Sequence, residues 1–467
     1  MNIVFISLDT LRASRLGCYG YTKPTSPYID RIASEGVLFE RAYAADIPTE
    51  AAHTGIFTGK LGIHTGIVSH GSSLTHLAKS GTWLPELLRR EGFTTAAVDN
   101  LYQLKEWFAR GYRYYINSVG GQRHIDGSTV NALAFPWIRE HKQEPFFLFL
   151  HYWDAHTPYL PPKEYVTPFY EQGRDPYDPA NRSMDGAYNH PAYPFFKHHH
   201  YEHLGPVTDS DYIDALYDAE VRYLDDRLQE LDQLLIQEGL YEDTLLVLFG
   251  DHGESLTEHG IYWDHCGLYE TTVRVPVIMR WPKRIAPGKR IGGLVQHVDL
   301  MPTVMEAAGL SLNPAERIDG LSLWPVIDGA QEGTQERIYL SECAWQASRG
   351  IVTRDYKFIQ TLDSGPYLRP MRELFDLRTD AEENVNLAEQ LVEHADRFER
   401  QLADWVQQQL GERRDPMRAQ LEVGLPFRNR IQQILQQYGL SWDAWIKCPQ
   451  REIFDEAVVR YRDGAGR

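Results

Sequence analysis

Met1-Asn-Ile-Val-Phe-Ile-Ser-Leu-Asp9-Thr10 opens the chain as an apolar, β-rich run that stops at a carboxylate. Far downstream, Thr244-Leu-Leu-Val-Leu-Phe-Gly-Asp251-His252-Gly-Glu254 repeats the pattern. Continuous apolar runs of this length read as strands buried on both faces, the signature of a parallel sheet covered by helices. In open α/β sheets, ligands and chemistry collect outside the carboxyl ends of the strands. Asp9, Asp251 and His252 therefore head the candidate functional residues.

Working outward, the alternation continues. Leu84-Pro-Glu-Leu-Leu-Arg-Arg-Glu-Gly92 reads as a helix with a glycine stop, and Phe93-Thr-Thr-Ala-Ala-Val98 as the next strand, ending at Asp99-Asn100. Pro145 to His151 is a further buried strand, followed by the loop Trp153-Asp154-Ala-His156-Thr-Pro158. From Asp211 to Glu238 apolar residues recur at three and four, marking an amphipathic helix that feeds the strand ending at Asp251. The fold class expected is α/β, a doubly wound and mostly parallel sheet with a smaller C-terminal α+β subdomain. Boundaries fall at 1–335 for the catalytic domain, 336–410 for a small antiparallel sheet with a helix on it, and 411–467 for a tail offering oligomer contact. Residues 160–208, rich in Pro, Tyr and His and without periodicity, read as a surface excursion that can act as a lid, with His198 to His200 on its solvated face.

Composition narrows the function. The 467 residues are 43% hydrophobic and 24% charged, enough for one large core plus a subdomain. A net charge of −18 argues against nucleic acid as a partner, since phosphate-backbone binding requires clustered Lys and Arg. Cys18, Cys266, Cys343 and Cys448 are widely spaced without a Cys-x-x-Cys pair, which fits reduced thiols and a cytoplasmic location. With neither a leader nor a long apolar run, no membrane association is expected.

Two carboxylates and an imidazole suit Zn²⁺, Mn²⁺ or Ca²⁺. Thr49, in Ile47-Pro-Thr49-Glu-Ala-Ala-His53, is the candidate fourth ligand, because a cation-bound hydroxyl loses its proton more easily and becomes a nucleophile. Thr49 also reads as the N-cap of a helix through Ala51 and Ala52. A helix N-terminus at the site would favour an anionic substrate.

These pieces resemble the sulfatase branch of the alkaline phosphatase superfamily over about residues 1 to 400. Besides Asp9, the matching segments are Ser26-Pro-Tyr-Ile-Asp-Arg-Ile-Ala-Ser-Glu-Gly-Val-Leu-Phe39, Thr58-Gly59, Asp154-Ala-His156-Thr-Pro158, Gly250-Asp-His-Gly-Glu254 with Glu258-His-Gly260, Arg274-Val-Pro276, Asp299-Leu-Met-Pro-Thr303 and Glu373-Leu-Phe-Asp-Leu377. The resemblance implies an alkaline phosphatase-like fold and an ester hydrolase. It also places Thr49 where sulfatases carry the Cys or Ser that becomes formylglycine, with Ala51, Ala52 and His53 replacing the Pro, Ser and Arg of the maturation motif. Thr cannot become formylglycine, so the expected chemistry is a Thr nucleophile acting on a phosphate monoester, phosphodiester or phosphonate monoester. Sulfuric ester hydrolysis is the alternative, followed by transfer of a phosphoryl substituent and by a non-catalytic scaffold. Asp99-Asn100 stands where the second sulfatase signature has Gly-Lys, making Asn100 a substituent contact. The resemblance further implies that His156 and His265 bind substrate and protonate the leaving group, and it leaves open a second metal at Asp154, His156 and His265. His259 is expected to hold its loop, and Arg274 and Lys60 to be structural.

Overall fold

The computed structural model describes residues 1–117 and 125–465. Its large sheet has eight strands in the order β5-β4-β6-β1-β7-β8-β2-β9. In chain order these are β1 (Asn2–Leu8), β2 (Val37–Tyr43), β4 (Thr94–Val98), β5 (Tyr114–Ile116), β6 (Phe146–Tyr152), β7 (Thr244–Gly250), β8 (Val277–Arg280) and β9 (Lys289–Gln296), with the short β3 (Asp46–Ile47) between β2 and β4. Pairing is parallel except where β8 lies between β7 and β2. The fully buried strands β1, β6 and β7 are the continuous apolar runs of the sequence, as a sheet covered on both faces requires.

Aromatic packing holds helix α2 (Thr49–Thr58) over the middle of this sheet. The Phe57 ring lies 6.0 Å from that of Phe5 on β1 and 5.0 Å, edge-on, from that of Phe149 on β6. On the other side, the helix Ser210–Gln237 takes up the first turn of α1 (Pro27–Ser34): Asp225 accepts the backbone N–H groups of Tyr28 and Ile29 at 2.9 and 2.7 Å. These are orphan donors that no residue within α1 satisfies.

The second sheet runs β13-β12-β11-β10-β3, with β10 (Arg337–Cys343), β11 (Ala347–Thr353), β12 (Tyr356–Asp363) and β13 (Arg372–Asp376) antiparallel. The helix Val392–Leu410 covers it through Ala395, Phe398 and Leu402. The sheet also recruits β3, two residues from the first domain, in parallel beside β10. No local signal marks so short a strand.

The tail returns to its own chain. Arg349 on β11 grips Asp415 through two hydrogen bonds of 3.0 and 2.6 Å. Trp445 donates to the Pro191 carbonyl at 2.8 Å, and Asp455 accepts from Tyr193 and Lys197 at 3.0 and 2.6 Å. The excursion is accordingly less exposed than its composition suggests, with Tyr193, Phe195, Phe196, His200 and Tyr201 buried. Aromatic residues without periodicity lack one apolar face, yet they bury readily when another segment covers them. None of the described helices is long and apolar enough to cross a membrane.

At the end of β8, Arg280 forms a buried ion pair with Asp232, which also accepts the Tyr28 hydroxyl at 2.6 Å. Removing one partner strands the other charge in the interior, so Arg280→Ala should destabilise the fold by about 3–5 kcal/mol. Urea denaturation measures this, and a loss below about 1 kcal/mol would contradict it.

Candidate active site

Parallel pairing places the acidic residues in a row. Leu8 on β1 is registered with Gly250 on β7 and with Tyr152 on β6, so Asp9 and Asp251 leave neighbouring strands at the same level. One strand further, Ser7 faces His151, and Val98 on β4 faces Leu150. The sheet edge thus reads Asp99, His151, Asp9, Asp251. Thr10, just past Asp9, adopts a left-handed φ of 55°, which is costly for a β-branched residue. Three contacts hold this bend: the Thr10 N–H donates to Asp251 Oδ1 (3.2 Å), its hydroxyl to the Ala155 carbonyl (2.5 Å), and its own carbonyl accepts the Tyr217 hydroxyl (2.8 Å).

Asp9, Asp251 and His252 gather with one ligand atom each within 4.8 Å of the others, all fully buried. Two carboxylate oxygens in this cluster, Asp9 Oδ1 and Asp251 Oδ2, are buried without a hydrogen-bond partner. Buried carboxylates in that state call for a cation. His252 is oriented to serve as a ligand: its Nδ1–H donates to the Gly253 carbonyl at 3.1 Å, leaving the lone pair on Nε2. That Nε2 lies 3.0 Å from Thr49 Oγ1. The donor set of Asp9, Asp251 and His252 fits a divalent ion, and Thr49 Oγ1 lies beside it.

Thr49 is the first residue of α2, and Pro48 occupies the cap position. The N-cap reading is therefore corrected: the hydroxyl turns to His252 and satisfies no helix N–H. His53, one turn on, is neutral, pushed down to about 4 by burial and by the neighbouring His151, although Asp251 opposes this. Its Nδ1–H donates to the Thr49 carbonyl at 2.9 Å and its Nε2 accepts the Ser7 hydroxyl at 2.8 Å, which fixes the Thr49 backbone.

A positive charge stands between two of the carboxylates on the row. Burial disfavours charge on His151, but Asp9 at 3.0 Å and Asp99 at 2.8 Å overcome it and push the imidazole up to about 9. His151 is therefore a buried cation shared by two carboxylates. Asp251 is pushed up by burial and by the charge of Asp9.

A cavity of about 340 Å³ opens above Thr49, and His156, His199 and His265 face it. The His156 Nδ1–H donates to the Thr157 carbonyl at 2.7 Å, and the His265 Nδ1–H to Glu254 at 3.3 Å. The His265 ring stacks on His252 with centroids 4.6 Å apart. The two histidines named from the resemblance thus line the same cavity as Thr49. The second-metal set does not assemble: Asp154 accepts the Gly127 N–H at 2.8 Å, at the start of the helix Gly127–His141, and joins no ligand group among the described residues. Burial pushes its carboxyl up to about 7. Asn100 is buried next to Asp99 and does not line the cavity. His259 stacks on Tyr269, with centroids 3.8 Å apart, and holds its loop. Arg274 donates to the Glu40 carbonyl at 2.9 Å. The expectation of a solvated His198–His200 face is corrected, since His200 is fully buried and His199 faces the cavity.

His151, Asp99, His53 and Glu254 were not among the sequence candidates. His151 closes an apolar run in the same manner as Asp9, and that shared position was its signal. His53 and Glu254 lie within the nucleophile and Asp-His segments, where nothing local distinguishes orienting residues from fillers.

Two outcomes follow for the cluster. His151→Gln leaves Asp9 without its charged partner, and divalent-metal affinity should fall about 10–100-fold in equilibrium dialysis, whereas unchanged affinity would remove His151 from the site. A carboxyl such as Asp251, whose folded pKa lies above its unfolded value, supports the metal-free fold below the unfolded pKa and loses that support as pH rises through the folded pKa. An ion replaces the proton, so the gain in Tm on adding Mn²⁺ should be larger at about pH 8 than at about pH 5.5, and an equal gain at both would contradict it.

The family profile described as "Sulfatase" matches residues 1–310, and one described as "N-sulphoglucosamine sulphohydrolase, C-terminal" matches residues 257–411. The N-acetylglucosamine-6-O-sulfatase of Bacteroides thetaiotaomicron is 24% identical over 83% of this chain and 82% of that protein. Among solved structures, a protein in complex with its substrate D-glucosamine-2-N,6-O-disulfate superimposes with a TM-score of 0.71 at 20% identity, covering 89% of this chain and 99% of the other. The phosphonate monoester hydrolase of Agrobacterium radiobacter does so with a TM-score of 0.69 at 20% identity, covering 88% and 96%. The profile spans most of the chain, the opening strand and the Asp251-His252 segment included, and with that the chain belongs to the sulfatase family of ester hydrolases, on an alkaline phosphatase-like fold.

Proposed function

We propose that this chain hydrolyses an anionic ester at a divalent-metal centre, with Thr49 Oγ1 as nucleophile and a sulfuric ester as the first substrate class. One observation carries the reading. Thr49 Oγ1 lies 3.0 Å from His252 Nε2, beneath a cavity and beside two buried carboxylates with unpartnered oxygens. Asp9, Asp251, His252 and Thr49 would hold the ion, whose positive charge lowers the pKa of a bound hydroxyl. Thr49, its proton released to solvent on binding the ion, would then attack the central sulfur or phosphorus in line while the bond to the leaving oxygen breaks. His156 or His265 protonates the departing alkoxide and later activates the water that releases the Thr49 ester. His265 is oriented for this by Glu254 and His156 by the Thr157 carbonyl.

Sulfate takes first place because the relatives are named sulfatases, among them the N-acetylglucosamine-6-O-sulfatase already described and the arylsulfatase of Clostridium perfringens. A second reading, hydrolysis of a phosphate or phosphonate ester, is favoured by Thr49 itself. Threonine cannot supply the aldehyde hydrate that expels sulfate by elimination, and it must pass through a covalent ester cleaved by water. Fold neighbours named phosphonate monoester hydrolases keep this reading in view.

The test is a panel of 4-nitrophenyl sulfate, 4-nitrophenyl phosphate, bis(4-nitrophenyl) phosphate and 4-nitrophenyl phenylphosphonate, with Mn²⁺-loaded wild type and Thr49→Ala. Thr49→Ala should lose at least about 1000-fold in kcat on the preferred ester. Faster sulfate turnover supports the first reading and faster phosphoester turnover the second. Full activity in Thr49→Ala would refute the nucleophile assignment.

A further inference from the structure

The cavity above Thr49 has a wall that the hydrolytic chemistry does not use. Phe195 and Phe196 come from the excursion, Trp345 from the turn between β10 and β11, and Phe427 and Arg430 from the tail helix Pro426–Gln437. Trp345 and Phe427 stack nearly parallel at 9° with centroids 4.4 Å apart, and Phe195 meets Phe427 edge-on at 5.5 Å. The tail is anchored to the rest of the chain by the buried Arg349–Asp415 pair, so this wall is built and not incidental.

Charge distinguishes one member. Among the described residues lining the cavity, Asp264 and Arg430 carry formal charge, histidines aside. Asp264 is occupied by the Tyr367 hydroxyl and the His265 N–H. Arg430 lies 5.0 Å over the Phe195 ring, exposed, with no carboxylate within ion-pair distance among the described residues. Its neighbour Arg428, by contrast, is paired with Asp363 at 2.8 Å. In a chain of net charge −18, an exposed arginine that lines a cavity and has no carboxylate beside it is poised for an incoming anion.

Resting on the hydrolase reading, we propose that this wall is a subsite for the organic part of the ester, which carries a second anionic group bound by Arg430 and an apolar part packed against the Phe195–Phe427 pair. Guanidinium on an aromatic face is pre-oriented and stays charged across the working pH range, so it can recognise a carboxylate.

Product-like alcohols test the subsite without turnover. Calorimetry at about pH 8 compares 4-hydroxybenzoate, 4-hydroxybenzamide and inorganic phosphate on Mn²⁺-loaded wild type and Arg430→Gln. The wild type should prefer the carboxylate over the amide by about fivefold, the range of an exposed charge pair. Arg430→Gln should erase that preference and leave phosphate affinity unchanged. Phe427→Leu should weaken carboxylate and amide alike. A wild type that binds both alcohols equally or neither, a preference surviving in Arg430→Gln, or a phosphate affinity that falls with it would overturn the proposal. The last outcome would assign Arg430 to the reacting group instead. A binding preference abolished by Arg430→Gln supports the subsite even if no ester in the panel is turned over, so the hydrolase reading and the subsite fail separately.

Discussion

The site depends on the register of β1 between β6 and β7. Strand side chains alternate faces, and a slip of one residue would send Asp9 to the other side of the sheet and break its match with Asp251. The register is held by the packing of Phe5 among Phe147, Phe149 and Phe249, with the closest centroids 4.6 Å apart. An apolar core thus sets the spacing of two carboxylates whose mutual repulsion would otherwise drive them apart. The energy of assembling these like charges is met by hydrophobic burial elsewhere, with the cationic His151 between Asp9 and Asp99 reducing the repulsion.

Thr49 arrives from a different direction. Phe57 fastens α2 to the sheet, while β3, directly before α2, is hydrogen-bonded to β10 of the second sheet. Thr49 is therefore pinned at the junction of both sheets, and His53 ties its carbonyl to Ser7 on β1. The small domain takes part in the site by holding the strand that leads into Thr49.

Legibility divided along the same lines. Strands such as Asn2–Leu8, Phe146–Tyr152 and Thr244–Gly250 were readable because burial on both faces leaves a continuous apolar run, and Ser210–Gln237 because one apolar stripe recurs with the helical period. Asp9, Asp251 and His252 were readable because they terminate such runs. His151, Asp99 and His53 orient other residues, a role defined by distance and not by position in a pattern. Asp154 shows how a motif and a contact can diverge: the resemblance left it open as a ligand, and in the fold one of its oxygens accepts a helix N–H.

The sequence by itself determined the α/β class, the strand ends at which Asp9, Asp251 and His252 sit and the threonine at position 49, because these follow from residue type and local periodicity. Only the tertiary structure decided that Thr49 faces His252 and does not cap its helix, that Asp154 stands apart from His156 and His265, and that a tail helix and a long excursion close one aromatic wall with Arg430. Those outcomes rest on side chains brought together from segments hundreds of residues apart. Such long-range contacts are selected by the packing of the whole core and leave no periodic trace in any one segment.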